Sequence, residues 1–146
     1  GVAGVISQTK NSIGHVGSEY AFAQKIPYAS IMNQRGELVE PTAESISAAA
    51  SGVIPTDTRT SITNADAAGA YPIATFTWII IYKEQNYSDR SKEQAIATLD
   101  LLQYILSDEA QKITSEVHYA PLPAKAKELS MKNLKTVTYD GMPILQ

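Results

Sequence analysis

The sequence predicts an α/β fold, and three stretches carry that expectation. The run YPIATFTWIIIYKEQ, residues 71–85, is rich in β-branched and aromatic residues. Its Ile79-Ile80-Ile81 is apolar on both faces, as in a central strand with helices above and below. Ser91-Lys92-Glu93-Gln94 has the spacing of a capping box, and Ala95, Leu99, Leu102 and Leu106 form one helical stripe behind it. Residues 12–32, SIGHVGSEYAFAQKIPYASIM, read as a short strand, a glycine-bounded turn, a short helix and a second extended segment.

In chain order, Val2, Val5 and Ile6 at helical spacing predict the end of a helix over 2–9, broken by Asn11 and Ser12. Ile13 to Val16 is expected as a short strand. Gly17-Ser18 leads into a helix over about 19–24, which Pro27 ends because proline lacks the N–H a helix interior needs. Tyr28–Asn33 and Glu37–Glu40 flank Gln34-Arg35-Gly36 as a hairpin. TAESISAAAS follows as a helix, with Thr42 as its N-cap and Gly52 as its C-terminal stop. Residues 52–70 carry weak patterning, and so long a loop inside a compact unit needs support from elsewhere. After the helix behind Ser91, a second over 108–117 is expected to turn Ala110, Ile113 and Val117 inward. A third starts at Pro123 with Ala126 and Leu129 on one side, and Asp140-Gly141 marks a turn before an extended end.

Composition bounds the function. Hydrophobic residues make up 44% and charged residues 18% of 146 positions, an ordinary globular balance. The net charge is −3 and the arginines, Arg35, Arg59 and Arg90, are scattered, which argues against nucleic acid. The apolar run from Trp78 to Tyr82 is too short to span a bilayer. With no cysteine, disulfides, thiolate metal sites and a cysteine nucleophile are excluded. No signal-peptide pattern opens the chain, and a start at Gly1-Val2-Ala3-Gly4 reads as processed or excised.

Catalytic patterns are absent. His15 and His118 lie far apart with no helical pairing and no acidic cluster beside them, so neither a metal site nor a general base is indicated. The aspartates lack calcium-loop spacing, and neither a nucleophile elbow nor a phosphate-binding P-loop is present. Ser91 and Ser107 read as helix caps. The turn at Gly14 to Ser18 offers helix-terminal N–H groups to an anion, but short glycine turns are more often plain connectors.

These pieces, in this order, resemble one family. GVAGVISQTKNSIGHVGSEYAFAQKIPYASIMNQRGELVEPTAESI, AYPIATFTWIIIYKEQ and YAPLPAKAKEL are similar to the second half of the periplasmic phosphate-binding proteins of phosphate ABC transporters, with matching order and spacing across essentially the whole chain. His15 departs from the pattern, standing where tyrosine is usual.

The resemblance implies a type II periplasmic-binding-protein-like α/β fold that is incomplete in this chain, either domain-swapped or needing a complement. Residues 1–70 are expected in the second lobe, Tyr71, Pro72 and Ile73 as the hinge crossing, and 74–146 in the first lobe. The phosphate-gripping motifs of the family do not occur here, so Ser18 and Tyr20 are carried only as ligand-binding candidates at the cleft edge. The implied function is capture of inorganic phosphate for uptake through an ABC transporter permease, without catalysis, cofactor or metal. The implied location is periplasmic or extracytoplasmic, with a lipid anchor as an option for the full-length protein. Missing strands leave open sheet edges, so exchange into a homodimer, aggregation or pairing with the missing half is expected, and no specific phosphate binding by this chain alone. Sulfate, molybdate or tungstate, a protein-interaction module without a ligand, and a small hydrolase remain alternatives.

Overall fold

The computed structural model describes residues 1–145. Helix α1, Val2–Gln8, buries none of its residues. Its Ile6 side chain lies against Gly14, in the space a Cβ there would occupy, so a side chain at that position would have to displace Ile6. Residues 13–16 then run without a strand partner among the described residues, which corrects the expected strand at Ile13–Val16: Ile13 is 98% exposed. Helix α2, Ser18–Ala23, starts after Gly17 and ends before Pro27 as anticipated.

The hairpin forms, reduced to strands β1, Ile31–Met32, and β2, Leu38–Val39, with Ile31 opposite Val39. Asn33 shapes its turn by accepting the backbone N–H groups of Arg35 and Glu37 on Oδ1, both at 3.0 Å. Helix α3, Ala43–Ala49, is capped by Thr42, whose side chain accepts from the Ser45 N–H while Ser45 Oγ accepts from the Thr42 N–H. Ala50 is the C-cap, and Gly52 lies beyond it without adopting the left-handed backbone a glycine stop uses. Ala49, Ala50, Ile62, Ala70 and Ala74 bury together and support the long loop.

The run 71–85 departs most from expectation. It turns at Pro72-Ile73, bends at Lys83 and forms no strand between them; among the described residues its ladder contact is one parallel bridge from Glu84 to Thr138. Helix α4, Lys92–Ile105, has the predicted box, with Ser91 accepting from the Gln94 N–H, and buries Ala95, Leu99 and Leu102. Helix α5, Asp108–Glu116, is capped by Ser107. It turns Gln111 inward rather than the predicted apolar trio: Ile113 and Val117 are about half exposed, and Ala110 is partly covered. Gln111 is held there because Nε2 donates to the Ile105 carbonyl and Oε1 accepts the Leu122 N–H. Helix α6, Ala124–Leu134, buries Ala126 and Leu129 as expected. Strands β3, Thr138–Tyr139, and β4, Met142–Pro143, close a hairpin on Asp140 and Gly141, both at positive φ.

The result is a mixture of helices and two small antiparallel ribbons, coarser than the predicted sheet. Apolar burial is split into three small clusters, around Ala70, around Leu129 and around Leu99. The accessible surface is 9785 Å², against about 7,300 Å² expected for a compact monomer of this mass.

Candidate functional site

Three places hold the residues singled out from the sequence. The first is the turn before α2. Gly17 is the N-cap of that helix, and the Glu19 carboxylate folds back over it. Burial, followed by the nearby Glu19 carboxylate, pushes the pKa of the Tyr119 hydroxyl up. Ser18 is half-buried, with no hydrogen bond from its side chain among the described residues; Tyr20 is 54% exposed. Tyr20 lines a shallow cavity of about 610 Å³ with His15, Gly17 and Gln24, and no lysine or arginine borders it. The helix start is therefore occupied by the chain's own carboxylate, whose charge opposes an added oxyanion. His15 does not meet His118; the latter packs edge-on to Phe22, 5.7 Å between ring centroids.

The second place is the segment Tyr71, Pro72 and Ile73, expected from the sequence as a hinge. It is pinned on several sides. The Tyr71 N–H donates to the Ser45 carbonyl at 3.0 Å, and the Pro72 carbonyl accepts the Asn64 N–H at 2.8 Å. Asn33 Nδ2 donates to the Ala70 carbonyl and to Glu37, whose carboxylate also accepts the Gly69 N–H. These donors, the Asn33 amide first, hold the Glu37 carboxyl below its ordinary range. Pro72 is buried while Ile73 is half exposed. Sequence reasoning missed Asn33 and Glu37, whose bonds to Ala70 and Gly69 span more than thirty positions. An Asn three positions before a glycine was the available signal for the turn.

The third place was not recognised as a site in the sequence. Beside residues 76–83 opens an apolar groove of about 880 Å³, bordered among others by Ile54, Trp78, Ile80, Leu102, Leu122 and Leu134. No backbone N–H from Thr75 to Tyr82 donates to another described residue. Trp78 is fixed by its own Nε1–H, which donates to the Thr58 carbonyl at 3.2 Å, and by edge contact with Phe76. Ile79 is 59% and Ile80 92% exposed. Among the described residues no group of His, Asp or Glu is arranged to hold a metal ion.

The class these features define is a mixed α/β segment of helices and two small ribbons, with Asn33, Glu37, Glu84 and Gln111 tying backbone together. Comparison with known proteins gives the particular relatives. A "Phosphate-binding protein PstS" of Xylella fastidiosa strain Temecula1 is 38% identical over 126 residues, covering 84% of this chain and 33% of the relative. Proteins of the same name from Haemophilus influenzae, 32% identical, and Methanocaldococcus jannaschii, 28% identical, match 93% and 94% of the chain and 40% and 38% of their own lengths. No family model matches. Over nearly its whole length the chain is thus homologous to a portion of the phosphate-binding proteins, and it spans between a third and two fifths of the curated relatives it matches.

Proposed function

We propose that this chain supplies part of an extracytoplasmic solute-binding protein that captures inorganic phosphate for an ABC transporter. The observation that carries the reading is sequence similarity over 84–94% of the chain to proteins named for phosphate binding in two bacteria and an archaeon. In this reading the chain is non-enzymatic and contributes scaffold to a type II, two-lobed clamp. Residues 1–70 lie in one lobe, 74–146 in the other, and Tyr71, Pro72 and Ile73 form the crossing about which the lobes close. Its supports are the fixed φ of Pro72 and the hydrogen bonds that gather Ser45, Asn64 and Asn33 around that crossing.

The gripping groups come from the remainder of the protein. A phosphate dianion needs many preorganised donors, and the turn at Ser18 and Tyr20 offers none that Glu19 does not already oppose. Those two residues stand at most at the cleft edge. The permease is the partner of the assembled protein, which resides outside the cytoplasm. No helix among the described residues is long and apolar enough to cross a membrane, and a lipid anchor on the full-length protein is compatible with this role.

The test is a chimera in which this chain replaces the matched segment of the Xylella fastidiosa relative. A chimera that melts cooperatively and binds phosphate in calorimetry, without competition from sulfate, molybdate or tungstate, supports the reading. One that folds yet gives no phosphate heat, while the unaltered relative does, rejects it.

A further inference from the structure

We infer that Phe22 and Glu19 on α2, with His118 and Tyr119 at the end of α5, form a latch that holds the two halves of this chain together and so favours the closed arrangement of the lobes. The inference rests on the reading above, which puts α2 in one lobe and α5 in the other, and it names a contact that crosses between them.

Each half of the latch is set by its own element. Phe22 is half-buried on α2, and Tyr28 packs edge-on to its ring, with 5.4 Å between centroids and 89° between planes. Glu19 stands in the first turn of the same helix. On the other side, α5 has its C-cap at Val117, and two hydrogen bonds close the helix end. The His118 N–H donates to the Ser115 carbonyl at 3.3 Å, and the Tyr119 N–H to the Thr114 carbonyl at 2.8 Å. This geometry puts His118 at a φ of +66°, in the left-handed region that glycine enters at no steric cost. The backbone there needs no side chain, yet the imidazole it carries is the group that reaches α2.

The two halves meet at two points. The rings of Phe22 and His118 are 5.7 Å apart between centroids with 66° between planes, an edge-on contact. Beside it the Tyr119 hydroxyl lies near the Glu19 carboxylate, which after burial is the next cause of that hydroxyl's raised pKa. Positions 22 and 118 fall on opposite sides of Tyr71, Pro72 and Ile73, so no local segment enforces the meeting. None of the four residues belongs to the three apolar clusters, and Tyr28 and Tyr119 are about half exposed. A contact that covers so little surface can break and re-form without unfolding either side, as a latch requires. An edge-on aromatic pair changes an equilibrium by roughly threefold to tenfold, enough to bias closure and too little to prevent opening.

The test has two arms. In the first, cysteines at Glu44 and Asp100, exposed positions on α3 and α4, carry spin labels in a chain that has no other cysteine. The parent is expected to give one narrow distance distribution. Phe22→Ala and His118→Gly broaden it, while Leu101→Ala, at an exposed position of α4, leaves it unchanged. His118→Gly is the decisive variant, because glycine suits the left-handed position. Its urea midpoint stays at or above that of the parent even as the latch is lost. In the second arm the same variants are built into the chimera with the Xylella fastidiosa relative, and phosphate release is followed by stopped flow. Release becomes roughly threefold to tenfold faster in each single variant, no faster in the double, and parental in Phe22→Tyr, which keeps the ring. The inference is overturned if Phe22→Ala and His118→Gly leave the label distances unchanged. It is equally overturned if release from a phosphate-binding chimera is unaltered, or if the double variant shows two separate effects added together. A chimera that takes no phosphate while the labels report the loosening leaves the latch standing and counts against the proposed function.

Discussion

Glu84 collects more backbone than any other side chain near the final hairpin. Its Oε1 accepts the N–H groups of Asn86 at 2.9 Å and Asp140 at 3.0 Å; its Oε2 accepts the Gly141 N–H at 3.0 Å and the Thr138 hydroxyl at 2.8 Å. These donors, led by the Asn86 and Gly141 N–H groups, hold its carboxyl at about 2, against an ordinary value of 4.5. The folded form binds its proton less readily than the unfolded form, so the stabilisation is fully present above pH 4.5 and is lost as pH falls toward 2. We expect the Glu84 carboxyl carbon to titrate near 2 by NMR, with amides of the 138–143 hairpin losing protection across the same interval. Glu84→Gln should bring that loss to neutral pH, and a variant indistinguishable from the parent would contradict the assignment. Asn33 plays a similar part at the first hairpin, buried and bonded to Ala70 and Glu37. Neither role was legible in the sequence, because apart from Asn86 the partners of Glu84 lie more than fifty positions away and become neighbours only on folding.

At the scale of elements, helices were legible where their ends carry their own chemistry. Thr42, Ser91 and Ser107 each cap within three residues, so the information is local and survives reading in one dimension. The stripe of α4 buries Ala95, Leu99 and Leu102, while Leu106, its C-cap, is only half-buried. Ser91→Ala removes the half of the box made by the Ser91 hydroxyl, leaves the Gln94 side chain accepting the residue 91 N–H, and is expected to lower stability by about 1 kcal/mol in urea denaturation, with no change of fold. Strands fared worse for the matching reason: a strand is defined by a neighbour. Ile13–Val16 and residues 74–82 have strand composition but lack strand partners among the described residues. On α5 the periodic pattern failed because Gln111 has two buried backbone partners while Ile113 has no apolar wall to meet.

For the whole molecule the deciding quantity is surface. A chain of 146 residues that exposes 9785 Å² buries less on folding than a compact domain of equal length. Because the denaturant slope follows the area exposed on unfolding, the urea m-value of this chain should fall below that of compact domains of its size and rise when the complement is bound. A slope equal to that of a compact domain would show that the groove closes in solution. Trp78 offers a second readout, since it stands beside the groove and its emission should shift to the blue as the complement covers it. The sequence by itself determined the helices, their caps, both hairpin turns, the absence of a catalytic pattern and, through quoted stretches along the chain, its kinship with phosphate-binding proteins. All of these are written in residues near one another or in an order that can be matched directly. Only the tertiary structure decided that residues 74–82 form no strand, that Glu19 occupies the start of α2, and that Glu84 and Asn33 tie distant backbone together. Those outcomes depend on which groups meet across long separations, and a stretch of strand composition has the same letters with a partner or without one.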